Sequence, residues 1–109
     1  MIYRLHVYGG GEYLHHNEHF PVQDTTELVD VIEEELENMR DAFGVISKEA
    51  SFTEDVDENL ASIIFVLIDD KGEESTVTVG KGIALCPEAY PKTAPIVASC
   101  LLEKFDYNT

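Results

Sequence analysis

Apolar residues recur along this chain with two different periods, and the shorter period predicts strands. Residues 2–8 (IYRLHVY) predict a first strand, followed by a glycine-rich turn and a second strand that runs through EYLHH and ends at Pro21. Residues 61–68 (ASIIFVLI) carry apolar side chains on both faces of an extended strand. They therefore predict a central strand that is covered on both sides. Residues 75–80 pair back with it across a turn at Gly72.

The longer period predicts a helix after Pro21. Asp24 and Glu27 have the spacing of a capping box, in which each side chain accepts a hydrogen bond from an open backbone amide. Gly44 is a suitable residue to end the helix. Between these points, apolar residues three and four apart form one helical face: Leu28, Ile32, Leu36, Met39 and Phe43.

The pattern of residues 45–59 is weak, with a short strand at 45–52 as one interpretation and an acidic loop after it. A second helix is predicted from Thr93 or Ala94, after a loop punctuated by prolines, to Phe105. Its apolar face is Ala94, Val97, Ala98, Leu101 and Phe105. A homodimer formed through this broadly apolar helix is one expectation that follows.

These elements predict an α+β fold: an antiparallel sheet of four to five strands with two helices packed against it, in the order ββα-ββα. No linker or break in composition divides the chain, so residues 1–109 are expected to form a single domain.

Charge is the unusual property of the composition. The chain has 22 Asp and Glu against 7 Lys and Arg, a formal net charge of −15. Such a field repels nucleic acid and anionic membranes and attracts basic partners, so direct nucleic-acid or membrane binding is not expected. No apolar run approaches the roughly 20 residues that span a bilayer, and the N-terminus lacks the plan of a signal peptide. The two cysteines have no metal or redox spacing, which indicates a cytoplasmic protein with reduced thiols.

The acidic residues of the first predicted helix lie opposite its apolar face. At 100° per residue, five of them share the solvent side: Asp30, Glu33, Glu34, Glu37 and Asp41. Like charges four residues apart cost a few tenths of a kcal/mol per pair, so this arrangement carries an avoidable penalty. Five charges over about 16 Å of helix approach the axial charge density of one DNA strand, about one phosphate per 3.4 Å.

Two further clusters extend the pattern. The first is Glu54, Asp55, Asp57 and Glu58, and the second is Asp69, Asp70, Glu73 and Glu74. Whether the three clusters share one face cannot be derived from the sequence. Solubility or salt adaptation would also enrich acids, although salt adaptation predicts an even spread in place of three blocks.

Metal and catalytic chemistry find little support. Three histidines cluster at His15, His16 and His19. On a strand His15 and His19 lie about 13 Å apart, too far for one ion, so surface histidines are expected, with a metal site kept as an alternative. The Asp55 region resembles a calcium loop in spacing, but Leu60 and Val66 occupy the positions that require Gly and Glu.

No nucleophile or phosphate loop is convincing. Cys86 has no histidine near it in sequence, and Cys100, which falls within the last predicted helix, is expected to be structural. The glycine-rich segments follow neither GxGxxG nor GK[ST]. We therefore expect no enzyme activity and no cofactor.

The function predicted from these observations is a small acidic inhibitor that presents its carboxylates as a mimic of the DNA phosphate backbone. Its partner would be a basic protein, such as a nuclease or a DNA-binding complex, and the setting a phage-encoded inhibitor of a host defence nuclease. The alternatives are an immunity protein that neutralises a nuclease toxin, or a metal-binding protein using the N-terminal histidines.

Overall fold

A computed structural model describes residues 2–9, 15–49, 62–80 and 87–105, which form one antiparallel sheet and two helices. The strands are β1 (Tyr3–Gly9), β2 (His15–Val22), β3 (Ser62–Ile68) and β4 (Glu74–Gly80). The helices are α1 (Thr25–Glu49) and α2 (Tyr90–Glu103), the second preceded by a 3-10 turn at Pro87–Ala89. The predicted α+β class and ββα-ββα order are confirmed.

The strands follow the order β2-β1-β3-β4, so the first strands of the two hairpins pair in the middle of the sheet. Leu5 lies opposite Leu67, and Val7 opposite Phe65. The β1–β2 pairing shifts between Tyr3 and Leu5, beside the cis Phe20–Pro21 bond at the end of β2. The predicted end of the second strand, Pro21, lies one residue before the observed end at Val22.

The core lies between one face of this sheet and both helices. Every second residue of β1 and β3 is buried in it: Leu5, Val7, Ile63, Phe65 and Leu67. The predicted apolar faces of the helices cover these strands, with Leu28, Ile32, Leu36 and Met39 from α1 and Ala94, Val97, Ala98 and Leu101 from α2. Period-2 and period-3.6 patterns thus meet in one cluster, which is the physical reason for the α+β arrangement.

The second face of the sheet is covered less than the sequence predicts. Ile64, Val66 and Ile68 of β3 point to this face and are half-buried, whereas their neighbours in β3 are fully buried. Within the described ranges both helices pack on the first face. Within the described residues, helices therefore cover β3 on one face, whereas the sequence predicted cover on both faces.

α1 begins as predicted and ends later. The amide of Glu27 donates to Oδ1 of Asp24 at 2.8 Å, and the amide of Gln23 donates to Oε2 of Glu27 at 2.6 Å, which completes the cap. The predicted end at Gly44 is wrong, because the helix continues to Glu49 and includes part of the segment interpreted as a strand. A glycine inside a helix costs only about 1 kcal/mol, so the helix continues through it.

α2 begins earlier than predicted, at Tyr90, and includes Pro91, which the predicted start at Thr93 or Ala94 left in the preceding loop. Pro91 lies in the first turn, where a missing amide hydrogen has no helical partner to lose. Pro95 lies further inside and forfeits one hydrogen bond, which burial of the apolar face beside it offsets. Among the described residues no helix is long and apolar enough to cross a membrane.

Replacing Gly44 by Ala tests the observed course of α1. Because Gly44 has helical backbone, Gly44→Ala should stabilise the protein by about 0.5 to 1 kcal/mol in urea unfolding. Gly72 provides the control, since its φ of 85° disfavours any side chain and Gly72→Ala should destabilise. A loss of stability for Gly44→Ala as large as that for Gly72→Ala would contradict a continuous helix.

Candidate functional site

The acidic side of α1 faces solvent along the length where its side chains are described. Asp30, Glu34 and Glu37 are exposed and Glu33 is half-buried, while Leu28, Ile32 and Leu36 on the opposite side are fully buried. Asp41 lies on the same helix, one turn after Glu37. We call Asp30, Glu33, Glu34, Glu37 and Asp41 the α1 acidic stripe.

Among the described side chains, the structure shows two contacts between an acid and a basic residue, and both lie outside the stripe. One pair joins Arg4 to Glu18 on the other side of the sheet, and a second contact joins His19 to Glu35. Asp30, Glu34 and Glu37 belong to neither. These two contacts therefore do not neutralise Asp30, Glu34 or Glu37.

The acids of the β3–β4 turn divide into two kinds. Asp70, Glu73 and Glu74 are exposed. Asp69 is 8% exposed, and its Oδ1 accepts from the amides of Lys71 at 2.9 Å and Glu73 at 2.8 Å. Asp69 thus organises the turn from inside, and its predicted place on a partner-binding surface is not supported.

The α1 acidic stripe begins at the end of the sheet where this turn lies. At this end of the sheet Tyr3 of β1 pairs with Val22 of β2, just before α1. The next residue of β1, Arg4, pairs with Ile68 at the end of β3, and Ile68 pairs with Glu74 at the start of β4. Lys104, after the end of α2, donates to the backbone oxygen of Glu74 at the same end. The α1 acidic stripe therefore begins at the end of the sheet that carries the acids of the β3–β4 turn. From there it extends along α1, away from that turn. The third predicted acidic cluster, Glu54, Asp55, Asp57 and Glu58, lies outside the described residues.

The same end holds an open cleft of about 510 Å³ between the start of α1 and the end of α2. Its apolar lining comes from Tyr3, Val29, Leu102 and Phe105, and its polar lining includes Thr25, Ser99 and Glu103. Among the described residues no histidine or cysteine lines it, and Glu103 is its carboxylate.

One carboxylate that the sequence analysis did not select lies deep inside the protein. Glu35 is 0% exposed, between α1 and β2. The side-chain amide of Asn17 donates to both of its oxygens at 3.0 and 3.1 Å, and that of Asn38 donates to Oε1 at 2.8 Å. Nε2 of His19 is buried 3.7 Å from the same oxygen, beyond hydrogen-bond distance. Amide donors on the carboxylate compensate its loss of water.

The helical periodicity of the sequence indicates that this acid is buried. Glu35 follows Leu28 by seven residues, two turns of helix, so it lies on the apolar face beside Leu36. A polar residue on such a face is buried only with hydrogen-bond partners, and Asn17 on the neighbouring strand supplies them. The identity of that partner depends on the tertiary fold and could not be derived from the sequence.

The predicted histidine cluster is split by the sheet. β2 is extended through all three positions, so His16 points to the open face while His19 points to the helix side, opposite Leu5. His15 occupies the position opposite Gly9. His16 and His19 therefore lie on opposite faces of β2.

The structure instead pairs His16 with His6 on the open face. Nδ1 of His6 lies 2.8 Å from Nε2 of His16, and their rings are nearly parallel, 15° apart. The ring of Tyr8 stacks on His16 with centroids 4.6 Å apart. Within the described residues, no three His, Cys, Asp or Glu side chains are gathered closely enough to hold a metal ion.

Cys100 is a free and exposed thiol on α2, on the side opposite the buried Ala98 and Leu101. The expectation that it is a structural, packed residue is therefore wrong. Cys86 and the calcium-like segment at Asp55 lie outside the described residues. The exposed Ile96 is the large apolar side chain that α2 leaves outside the core.

Comparisons of the chain with protein-family models, with curated proteins and with solved structures found no match. A functional interpretation therefore depends on the arrangement of its side chains.

Glu35 and Glu34 form a matched pair for testing the buried cluster. Glu35→Ala should destabilise the protein by about 2 kcal/mol or more, because Asn17 and Asn38 would each lose a buried acceptor. Glu34→Ala, the exposed neighbour, should change the free energy of unfolding by less than about 0.5 kcal/mol. Urea unfolding measures both, and equal effects would contradict the burial of Glu35.

Asp69 and Asp70 separate a structural acid from a surface acid in the same turn. Asp69→Ala should cost about 1 to 2 kcal/mol in unfolding free energy, because two backbone amides lose a charged acceptor. Asp70→Ala should be nearly neutral, since Asp70 is exposed. If both substitutions prove neutral, Asp69 does not organise the turn as described.

Proposed function

We propose that this protein is a small acidic binding protein, not an enzyme, which presents carboxylates to a basic nucleic-acid-handling partner as a mimic of the phosphate backbone. The observation that carries the proposal is the exposure of Asp30, Glu34 and Glu37 along one side of a 25-residue helix. The partner class is a nuclease or a DNA-binding complex. The setting that this chemistry fits is a phage-encoded inhibitor of a host defence nuclease, acting in the cytoplasm.

The spacing of the stripe supports recognition by a phosphate-binding surface. Asp30 and Glu34 are about 6 Å apart along the helix axis, and Glu34 and Glu37 about 4.5 Å, at 1.5 Å per residue. Phosphates of one DNA strand recur about every 3.4 Å along the axis. Arginine and lysine side chains that reach successive phosphates could therefore reach successive carboxylates with little rearrangement.

Electrostatics favour a basic partner in both affinity and rate. The net charge of −15 attracts cations at long range, and the exposed acids Asp70, Glu73 and Glu74 reinforce the field at the end where the stripe begins. A cationic surface would also relieve the repulsion between Asp30 and Glu34, four residues apart on α1. Association should thus be fast and should weaken as salt rises.

The fold supplies a rigid support for these charges. Leu28, Ile32 and Leu36 anchor the opposite side of α1 in the core, and the capping contacts of Asp24 and Glu27 fix its first turn. Charges on a pre-ordered helix lose less conformational entropy on binding than charges on a flexible tail. This rigidity favours a specific competitor of nucleic acid over a nonspecific polyanion.

Charge reversal on α1 tests the proposal against a control of equal charge. The test variant is Glu34→Lys with Glu37→Lys, and the control is Glu88→Lys with Glu103→Lys, which reverses two exposed acids outside α1. Partners are captured by untagged protein at low and high salt, purified, and bound to a fluorescent DNA duplex. Displacement of that duplex is measured by anisotropy for each variant.

The wild type and the control should displace the duplex at similar concentrations. The α1 variant should need a concentration at least roughly ten times higher for the same displacement. A shallower salt dependence for the α1 variant would add support, because fewer charges are then involved in binding. If both variants compete equally well, the α1 acidic stripe is a solvated surface. If no captured partner binds DNA, the proposed mimicry is wrong.

A further inference from the structure

In the part of the chain that the structure describes, β2 and β4 are the edge strands of the sheet, and the two edges differ. β2 carries Pro21 and the charged Glu18, and its pairing with β1 shifts near its end. Proline, charged side chains and irregular pairing are the features that keep an edge strand from pairing with another chain. Residues 75–79 of β4 (STVTV) contain no proline and no charged residue. β4 therefore has the composition of a strand that can accept a further strand.

The outer edge of β4 carries backbone groups that point away from the sheet. The amide of Asp69 donates to the backbone oxygen of Glu73 at 3.0 Å, so the backbone groups of these two residues face each other at the turn. Hydrogen-bonding direction alternates along an antiparallel strand, so every second residue after Glu73 also faces β3. The amides and carbonyls of Glu74, Thr76 and Thr78 consequently point outward.

One side of α2 lies beside this edge. Lys104, just after the end of α2, donates from Nζ to the outward carbonyl of Glu74. Cys100 and Ile96 precede Lys104 by one and two helical turns, so they lie along the same side of the helix. Ile96 is 63% exposed, and Cys100 is an exposed free thiol. An exposed apolar side chain thus accompanies the outward backbone groups of β4 on one side of the molecule.

We propose that β4 pairs with β4 of a second copy of this chain, in antiparallel direction, so that the two sheets join into one. The pairing is symmetric about Val77. Thr76 then lies opposite the partner's Thr78, and the two residues exchange both of their backbone hydrogen bonds. Threonine side chains that face each other across strands add a favourable contact. Glu74 lies opposite the partner's Gly80, so the carboxylate of β4 meets a residue without a side chain.

The helices make the second copy the occupant that fits this edge. α2 packs over β3 and β4, on the same face of the sheet in each copy. The two-fold axis of the pairing therefore brings the two α2 helices side by side above the joined edge. Ile96 of each copy is directed toward the other copy, and its burial adds to the backbone hydrogen bonds of the strands.

Charge opposes this association at long range but not at the contact. Each copy carries a net charge of −15, whereas residues 75–79 and Ile96 are neutral. The α1 acidic stripe lies on the other helix, which packs beside β2, so the dimer leaves the stripe open. Salt screens the repulsion between copies, and dimerisation should therefore strengthen as salt rises. Binding of a basic partner to the stripe should weaken with salt, so the two proposals are tested separately.

Sedimentation equilibrium of the full chain at low and high salt, with a reducing agent present, tests this interface. Thr76→Pro removes an outward amide and leaves the hydrogen bonds to β3 in place, as an edge strand tolerates. Ile96→Lys changes an exposed side chain and serves as the second variant if Thr76→Pro does not fold. Ile2→Lys is the matched control, because Ile2 is an exposed apolar residue beside β1, away from β4. Thermal unfolding confirms that each variant is folded.

The wild type should form a dimer in equilibrium with the monomer, and high salt should favour the dimer. Thr76→Pro and Ile96→Lys should each raise the dissociation constant of the dimer roughly tenfold or more, while Ile2→Lys dimerises like the wild type. Amide hydrogen exchange at Thr76 and Thr78 should slow as the protein concentration rises. A wild type that stays monomeric at high salt, an equal loss for Ile2→Lys, or assemblies that grow beyond the dimer would each overturn the pairing.

Discussion

One-sided burial of the sheet is the constraint on which the rest of this structure depends. Leu5 and Phe65 pack against the helices. Because side chains alternate between the two faces of a strand, this packing determines the face on which each remaining residue of the sheet lies. The same burial rotates α1 so that its apolar face points inward and its acids point outward. The acidic surface, the buried Glu35 and the separation of the histidines all follow from this one packing arrangement.

Much of the fold could be predicted from local patterns, because each pattern has a short-range physical cause. The cap at Asp24 and the apolar face from Leu28 to Met39 are properties of adjacent turns, and both were predicted correctly. The ends of helices were predicted less well. Gly44 costs a helix only about 1 kcal/mol and does not end it, and Pro91 is tolerated in the first turn of α2.

The candidate sites depended more on tertiary contacts, and the sequence predicted less of them. The exposure of Asp30, Glu34 and Glu37 followed from helical geometry alone. The sequence grouped Asp69 with the surface acids of the turn, whereas the structure buries it, with two amides of the turn donating to its carboxylate. The contact between His6 and His16 depends on which strands pair and in what register, so ten residues of separation along the chain concealed it.

The central position of β1 and β3 has a consequence for how the chain reaches its native state. Each hairpin joins segments that are close in sequence, whereas Arg4 and Ile68, paired across the middle, are separated by most of the chain. Closing so large a loop is entropically expensive, and local hairpins form on the microsecond scale. We therefore expect two independently nucleated halves whose joining along β1 and β3 limits the folding rate.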